Sequence, residues 1–188
     1  MKFGIFDHID DAGIPLGELY ANRLTIAEAL ERAGFYGYHV AEHHITPLGA
    51  AASPGLIFSA LAYRTTRLRF GPMVYLLPFY HPLRLIEEVC MLDQMSGGRL
   101  EVGVGRGISP IEAAYYGEPT EPAVSRQVFT ESLEILLSAL TEKSTTVTGD
   151  FRRAENVPMQ LEPLQKPHPP LWMGVSTREN AEFAARHG

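Results

Sequence analysis

Cysteine is nearly missing from this chain of 188 residues, with Cys90 the only one. A single thiol excludes an intrachain disulfide and a cysteine-rich metal site. It leaves Cys90 either to packing or to service as a lone reactive thiol. An excess of positive charge is missing too. Lys and Arg number 16 against 22 Asp and Glu, giving a formal charge of −6, with both signs interspersed. Nucleic acid and anionic membrane both call for a basic surface, so neither is expected as the main partner. No apolar run reaches the ~18 residues of a membrane span. The first residues, Met1-Lys2-Phe3-Gly4-Ile5-Phe6, carry one charge and are soon followed by Asp7, Asp10 and Asp11. That is too early for a signal-peptide core, and the chain reads as cytoplasmic. What is present is 45% hydrophobic content over a length that builds one sizeable core, so residues 1–188 read as a single domain.

Taken in order, the chain alternates strand and helix. Residues 2–8 read as a first strand and residues 10–17 as a loop broken by Gly13, Pro15 and Gly17. A helix follows from about Glu18 to Ala33, capped by Gly34. Gly37-Tyr38-His39-Val40-Ala41-Glu42-His43-His44 is a short β-type run that ends in a carboxylate and two imidazoles. Ser53-Pro54 reads as the start of a helix, with Ser as N-cap and an apolar face of Leu56, Ile57, Ala60 and Leu61. Residues 68–77 form a third strand, apolar on both faces as in a covered parallel sheet. Pro82 opens the next helix and Gly97-Gly98 stops it. A fourth strand, residues 100–104, runs into Gly103-Val104-Gly105-Arg106-Gly107. A short helical piece near 110–116 and a long helix over 121–140 follow. A hairpin is expected around Gly149-Asp150, then a Pro-rich loop over 158–170, a fifth strand over 171–175 and a last helix after Ser176-Thr177.

This alternation predicts a parallel sheet with crossover helices. A doubly wound dinucleotide fold places its glycine fingerprint after the first strand. Here Asp7-His8 stand there instead, and special residues follow every later strand. Function spread over several strand ends favours a (β/α) barrel of the TIM type, apparently incomplete, with about five of eight strands present.

Four stretches could carry chemistry. In Glu42-His43-His44, neighbours on a strand point to opposite faces, so the two imidazoles face one site only if the strand has ended. One reading has one imidazole packed and the other solvated. The alternative is a general acid/base, the role that imidazole suits at neutral pH. No further His stands at a metal-ligand spacing, and no metal is expected. The glycines of residues 103–107 suggest a phosphate loop, but Ile108 breaks the dinucleotide spacing. Arg106 among them could grip a phosphate, or could be a surface Arg beside a tight turn. Ser176, Thr177 and Asn180 open a helix, where capping alone explains a hydroxyl and an anion site is the sharper alternative. Gly71-Pro72-Met73-Val74-Tyr75 interrupts the third strand, which suggests either a bulge against which something flat could lie or an edge irregularity.

These residues bring a resemblance with them. The chain resembles the bacterial luciferase-like flavin-dependent monooxygenases. The matching stretches are Met1-Lys2-Phe3-Gly4, Gly34-Phe35, Glu42-His43-His44, Leu77-Pro78 with His81-Pro82, Leu92-Asp93-Gln94-Met95-Ser96 with Gly98-Arg99, and Gly105-Arg106-Gly107. The resemblance implies a barrel that takes reduced FMN from a separate reductase and transfers one oxygen atom of O2 to a small organic substrate through a flavin hydroperoxide. It implies that His43 is the catalytic acid/base and Arg106 the phosphate ligand. Ser176, Thr177 and Asn180 would add phosphate contacts, and a non-prolyl cis peptide at Met73–Val74 would lie beneath the flavin ring. With Glu42 beside the catalytic imidazole, these make the expected cofactor-binding set. Luciferases carry a reactive Cys before the phosphate Arg, where this chain has Gly105, which points away from light emission with long-chain aldehydes. The alternatives are a deazaflavin-dependent oxidoreductase of the same fold and a non-catalytic flavin-binding relative. Five strands and a hairpin are expected where the family closes a barrel with eight. The chain is therefore read as the N-terminal portion of such a barrel, completed by a dimer partner or another chain segment, and poorly active alone.

Overall fold

A computed structural model describes residues 1–187. Its framework is a run of parallel strands joined by crossover helices. Strands β1 (Gly4–Asp7), β2 (Gly37–Val40) and β3 (Arg69–Pro72) are hydrogen-bonded in that order. Strands β4 (Tyr75–Leu76), β5 (Val102–Gly105) and β8 (Leu171–Met173) form the other half. The halves are stitched where the Glu101 N–H donates to the Phe70 carbonyl at 2.9 Å and the Phe70 N–H to the Arg99 carbonyl at 3.2 Å. β3 and β4 together fill the third strand position, so the arc has the five positions the sequence predicts. Strands β2 and β5 are buried along their whole length, whereas β1 and β8 at the two ends are partly exposed.

The third strand is not continuous. It breaks at Met73–Val74, the one non-prolyl peptide bond that is cis among the described residues. The glycines around this break are there for packing. A Cβ at Gly71 would fall on the carbonyl oxygen of Glu101, one at Gly103 on that of Pro72, and one at Gly105 on the side chain of Val74. The glycines of β5 therefore make room for the broken strand beside them. This is a more immediate reason for Gly103 and Gly105 than approach to a ligand.

The helices α1 (Leu16–Arg32), α2 (Pro54–Arg64), α3 (Pro82–Ser96) and α5 (Pro122–Thr141) pack in succession, each on the next. α1 begins before Gly17, so that glycine lies inside the helix rather than in the loop. Gly34 and Gly97 take the positive φ angles, 81° and 65°, that end α1 and α3, and glycine does this without a steric cost. Ser53 precedes α2 as expected but its side chain makes no capping bond. The buried face of α2 is Phe58, Leu61 and Ala62, while Leu56 is 75% exposed. Phe58 stacks on Phe70 of β3 with ring centroids 5.7 Å apart, and that aromatic contact sets the rotation of the helix. The hairpin expected around Gly149-Asp150 forms from β6 (Ser144–Thr148) and β7 (Arg153–Pro158) and packs on α5; its second strand begins at Arg153, where the sequence places its end, with 151–153 as the expected strand. The carboxylate of Glu131 on α5 organises its turn, accepting from the N–H groups of Asp150, Phe151 and Arg152 at 3.1, 2.8 and 2.7 Å.

The Leu92-Asp93-Gln94-Met95-Ser96 stretch is structural. The fully buried Asp93 takes the main-chain and side-chain N–H groups of Gln165 at 2.8 and 2.7 Å, pinning the loop before β8. The buried Arg99 guanidinium is spent on Ser96, Thr65, Leu68 and Ala62, which ties α3 to α2 and β3.

Candidate active site

The functional candidates meet where the strands end. Glu42, His43, Val74, Arg106, Ser176 and Asn180 line one cavity of about 780 Å³, a size within the usual range for a small-molecule site. The loops after β2, β4, β5 and β8 all contribute. Pro47, Leu48, Leu76 and Ile108 give it apolar walls. Two expected members are placed differently. Met73 is not among the lining residues, its neighbour Val74 taking that place. Thr177 caps the last helix, α6 (Arg178–His187), its hydroxyl accepting from the Asn180 N–H at 3.2 Å.

Strand β2 ends at Val40, so the two histidines stand beyond the ladder, yet they still part company. His43 lines the cavity. His44 is buried away from it in a hydrogen-bonded chain. Its Nε2 is 2.8 Å from the Glu42 carboxylate and its Nδ1 2.8 Å from the hydroxyl of Tyr116. The other Glu42 oxygen accepts from Tyr80 at 2.8 Å. Burial pushes the Glu42 carboxyl above the usual range, against the hydrogen bonds from His44, Tyr80 and the Leu76 main chain, which favour the charged form. Glu42 is thus 2% exposed with both oxygens committed inside the protein. It braces the wall of the cavity and anchors His44.

His43 is held from two other elements. Its ring stacks on that of His8, just past β1, with centroids 5.5 Å apart and planes 9° apart. Its Nδ1 lies 3.5 Å from Oε1 of Glu112, on the short helix α4 (Pro110–Tyr115). Its Nε2 meets no polar group among the described residues. Arg106 is half-buried, and its guanidinium makes no hydrogen bond or ion pair within the described residues. Among the buried or half-buried arginines this is unusual, since burying an unpaired charge costs free energy. An anion in the cavity would satisfy it. His8, Tyr80, Glu112 and Tyr116 are parts of the site that sequence reasoning missed. The one local signal was Ser109-Pro110-Ile111-Glu112, a capping-box spacing. Half of that box forms, Ser109 Oγ accepting from the Glu112 N–H at 3.2 Å.

A family model described as luciferase-like monooxygenase matches residues 1–188. The chain belongs to that family. Among curated relatives of the luciferase-like chain is an uncharacterised protein of Sinorhizobium fredii, 48% identical over the whole of this chain and 54% of its own length. The oxygenase component of a flavin-dependent trigonelline monooxygenase from Acinetobacter baylyi is 28% identical, again over the whole chain and 52% of its own length. The crystal structure of the monooxygenase RslO1 from Streptomyces bottropensis superposes with a TM-score of 0.92 at 32% identity, over all of this chain and 57% of that one. An F420-dependent secondary alcohol dehydrogenase shares the fold alone, with a TM-score of 0.83 at 21% identity over all of this chain and 56% of that one. The chain spans about half the length of the curated relatives it matches. No described helix is long and apolar enough to cross a membrane.

Proposed function

We propose that this luciferase-like chain carries the phosphate-side half of a reduced-FMN site and the acid/base residue of an oxygenase acting on a small organic substrate. The observation that carries the reading is the convergence of His43, the unpartnered Arg106 and the Ser176–Asn180 turn on one cavity. The donor set fits the group. A free guanidinium and a hydroxyl suit a phosphate, and Val74 with Leu76 offers an apolar bed for a ring. When bound, reduced FMN would supply the electrons that activate O2. The chain's own part is to hold the phosphate through Arg106, to exclude water with Pro47, Leu48 and Ile108, and to hold or release a proton at Nε2 of His43.

In this reading residues 1–188 are the N-terminal portion of a (β/α) barrel. The partly exposed strands β1 and β8 would meet further strands from a dimer partner or another chain segment. The trigonelline enzyme's name as an oxygenase component supports a separate reductase that delivers FMNH2. A cytoplasmic setting, expected from the early acidic residues Asp7, Asp10 and Asp11, is part of this reading. The shared fold of F420-dependent enzymes supports a second reading, hydride transfer from a deazaflavin.

Oxygen uptake with FMNH2, with and without candidate substrates, tests the first reading, beside titrations with FMN and with a deazaflavin. His43→Gln is expected to lower turnover by about 10²–10⁴-fold while FMN affinity stays within a few-fold. Turnover indifferent to that change would leave His43 a binding role only. Tight deazaflavin binding with no FMN binding would move the site to the second reading.

A further inference from the structure

Glu112 breaks a local rule. Its position in Ser109-Pro110-Ile111-Glu112 should turn its carboxylate back onto the Ser109 N–H to complete a capping box. The Ser109 half of the box forms, but the carboxylate does not return. Glu112 is 4% exposed, and its side chain's one polar neighbour among the described residues is Nδ1 of His43, at 3.5 Å. That separation is an ion-pair distance, longer than an ordinary hydrogen bond. A buried carboxylate with a single neighbour has a strong drive to keep it, because losing it would leave the charge unpaired.

The surroundings reinforce the contact. Tyr116, just past α4, bonds Nδ1 of His44 and stacks on Phe79 at 4.9 Å, so α4 is fastened to the end of β2. The His8 ring stacks on that of His43, and the Glu112 carboxylate lies on the Nδ1 side of the ring at 3.5 Å. From this geometry we propose that Glu112 is the positioning residue for His43, accepting its Nδ1 proton and so turning the lone pair of the neutral ring, at Nε2, toward the cavity. A carboxylate behind an imidazole sets tautomer and orientation in this way without itself taking up the proton. The capping bond is given up so that the carboxylate can serve the histidine.

The inference rests on His43 being the working imidazole, but its test needs neither flavin nor turnover. Long-range nitrogen–proton NMR correlations of the His43 ring, in the chain alone and above the pH at which the ring titrates, report which nitrogen holds the proton. The Nδ1–H form is expected to dominate in the wild type. In Glu112→Leu, which removes the acceptor but keeps the bulk, it should fall to the minor form. A wild-type ring protonated mainly at Nε2 overturns the proposal, and so does a Leu variant with an unchanged tautomer. Should the Leu variant fail to fold, the wild-type spectrum still decides. Loss of the oxygenase reading would show instead in the oxygen-uptake assay, with the NMR result untouched.

Discussion

The N-terminal and C-terminal ends of these strands use the same residue types in opposite ways. Next to the start of β5, Glu101 is 1% exposed and fully served. It accepts from Tyr36 and Arg69 on one oxygen, at 2.5 and 2.7 Å, and meets Nε2 of His39 at 3.1 Å on the other. Arg69 goes on to the carbonyls of Gly98 and Leu100 and to Gln165. Past the end of β5, among the described residues, Arg106 has no such partner, and His43 has one distant carboxylate and no hydrogen bond at Nε2. Closed shells of donors and acceptors build a scaffold, whereas open valences around a cavity await a ligand. An Arg, a His and a Glu occur at both ends, so residue type does not tell the two apart. Satisfaction does.

The comparison is most strongly tested at the closed end. Glu101→Ala leaves a guanidinium and an imidazole without their carboxylate, and should cost about 3–5 kcal/mol in urea unfolding. The same cluster gives the fold an acid limit. Burial works against the Glu101 charge, but hydrogen bonds from His39, Tyr36 and Arg69 outweigh it and hold the carboxyl at about 2, below its ordinary 4.5. A lowered carboxyl contributes stability that is whole above the ordinary value and fades as pH falls from 4.5 toward 2. The loss over that range should be on the order of 3 kcal/mol, and should vanish in the Ala variant. Acid unfolding that runs the same course in both proteins would remove Glu101 from this account.

At the open end the expectation inverts. Arg106→Ala should change unfolding free energy by less than about 1 kcal/mol, since no protein partner is lost. FMN affinity, read by fluorescence quenching, should drop by roughly tenfold or more, the equivalent of about 1.4 kcal/mol. A large stability loss with binding intact would make Arg106 another scaffold residue. The smallest effect separates two neighbours on one turn. Thr177→Ala should cost about 0.5–1 kcal/mol through the lost cap of α6 and leave FMN affinity nearly unchanged, while Ser176→Ala should do the reverse. Equal effects on affinity would return Thr177 to the binding set.

Much of this molecule was legible in its sequence because the relevant physics is local. Gly34 and Gly97 end helices through backbone angles that only their own residue must adopt. Strand-end placement of Glu42, His43, Arg106 and Ser176 followed from counting apolar runs. Gly71 and Pro72 pointed to an irregularity in the third strand, and the family resemblance placed its cis bond at Met73–Val74. Where the reading went astray, a distant partner decided. Ile57, Ala60 and Leu61 stand on the inner side of α2 as their spacing predicts, but with Phe58 stacked on Phe70 the edge residue Leu56 is left exposed. Ser53 has the chemistry of a cap and no bond to show for it. Glu112 drew no notice in the sequence, because its neighbour His43 stands 69 positions away and is brought to it only by the fold.

The sequence by itself determined the alternation of strands and helices, the family, and which residue types would stand at the strand ends, because periodicity, turn chemistry and motif spacing are properties of neighbours along a chain. Only the tertiary structure decided which of two adjacent histidines opens to the cavity and which is locked between Glu42 and Tyr116. Only it decided that Gly103 and Gly105 make way for the broken strand, and that Arg106 is left without a partner among the described residues. Those outcomes depend on which groups satisfy one another across space, and no local pattern encodes that.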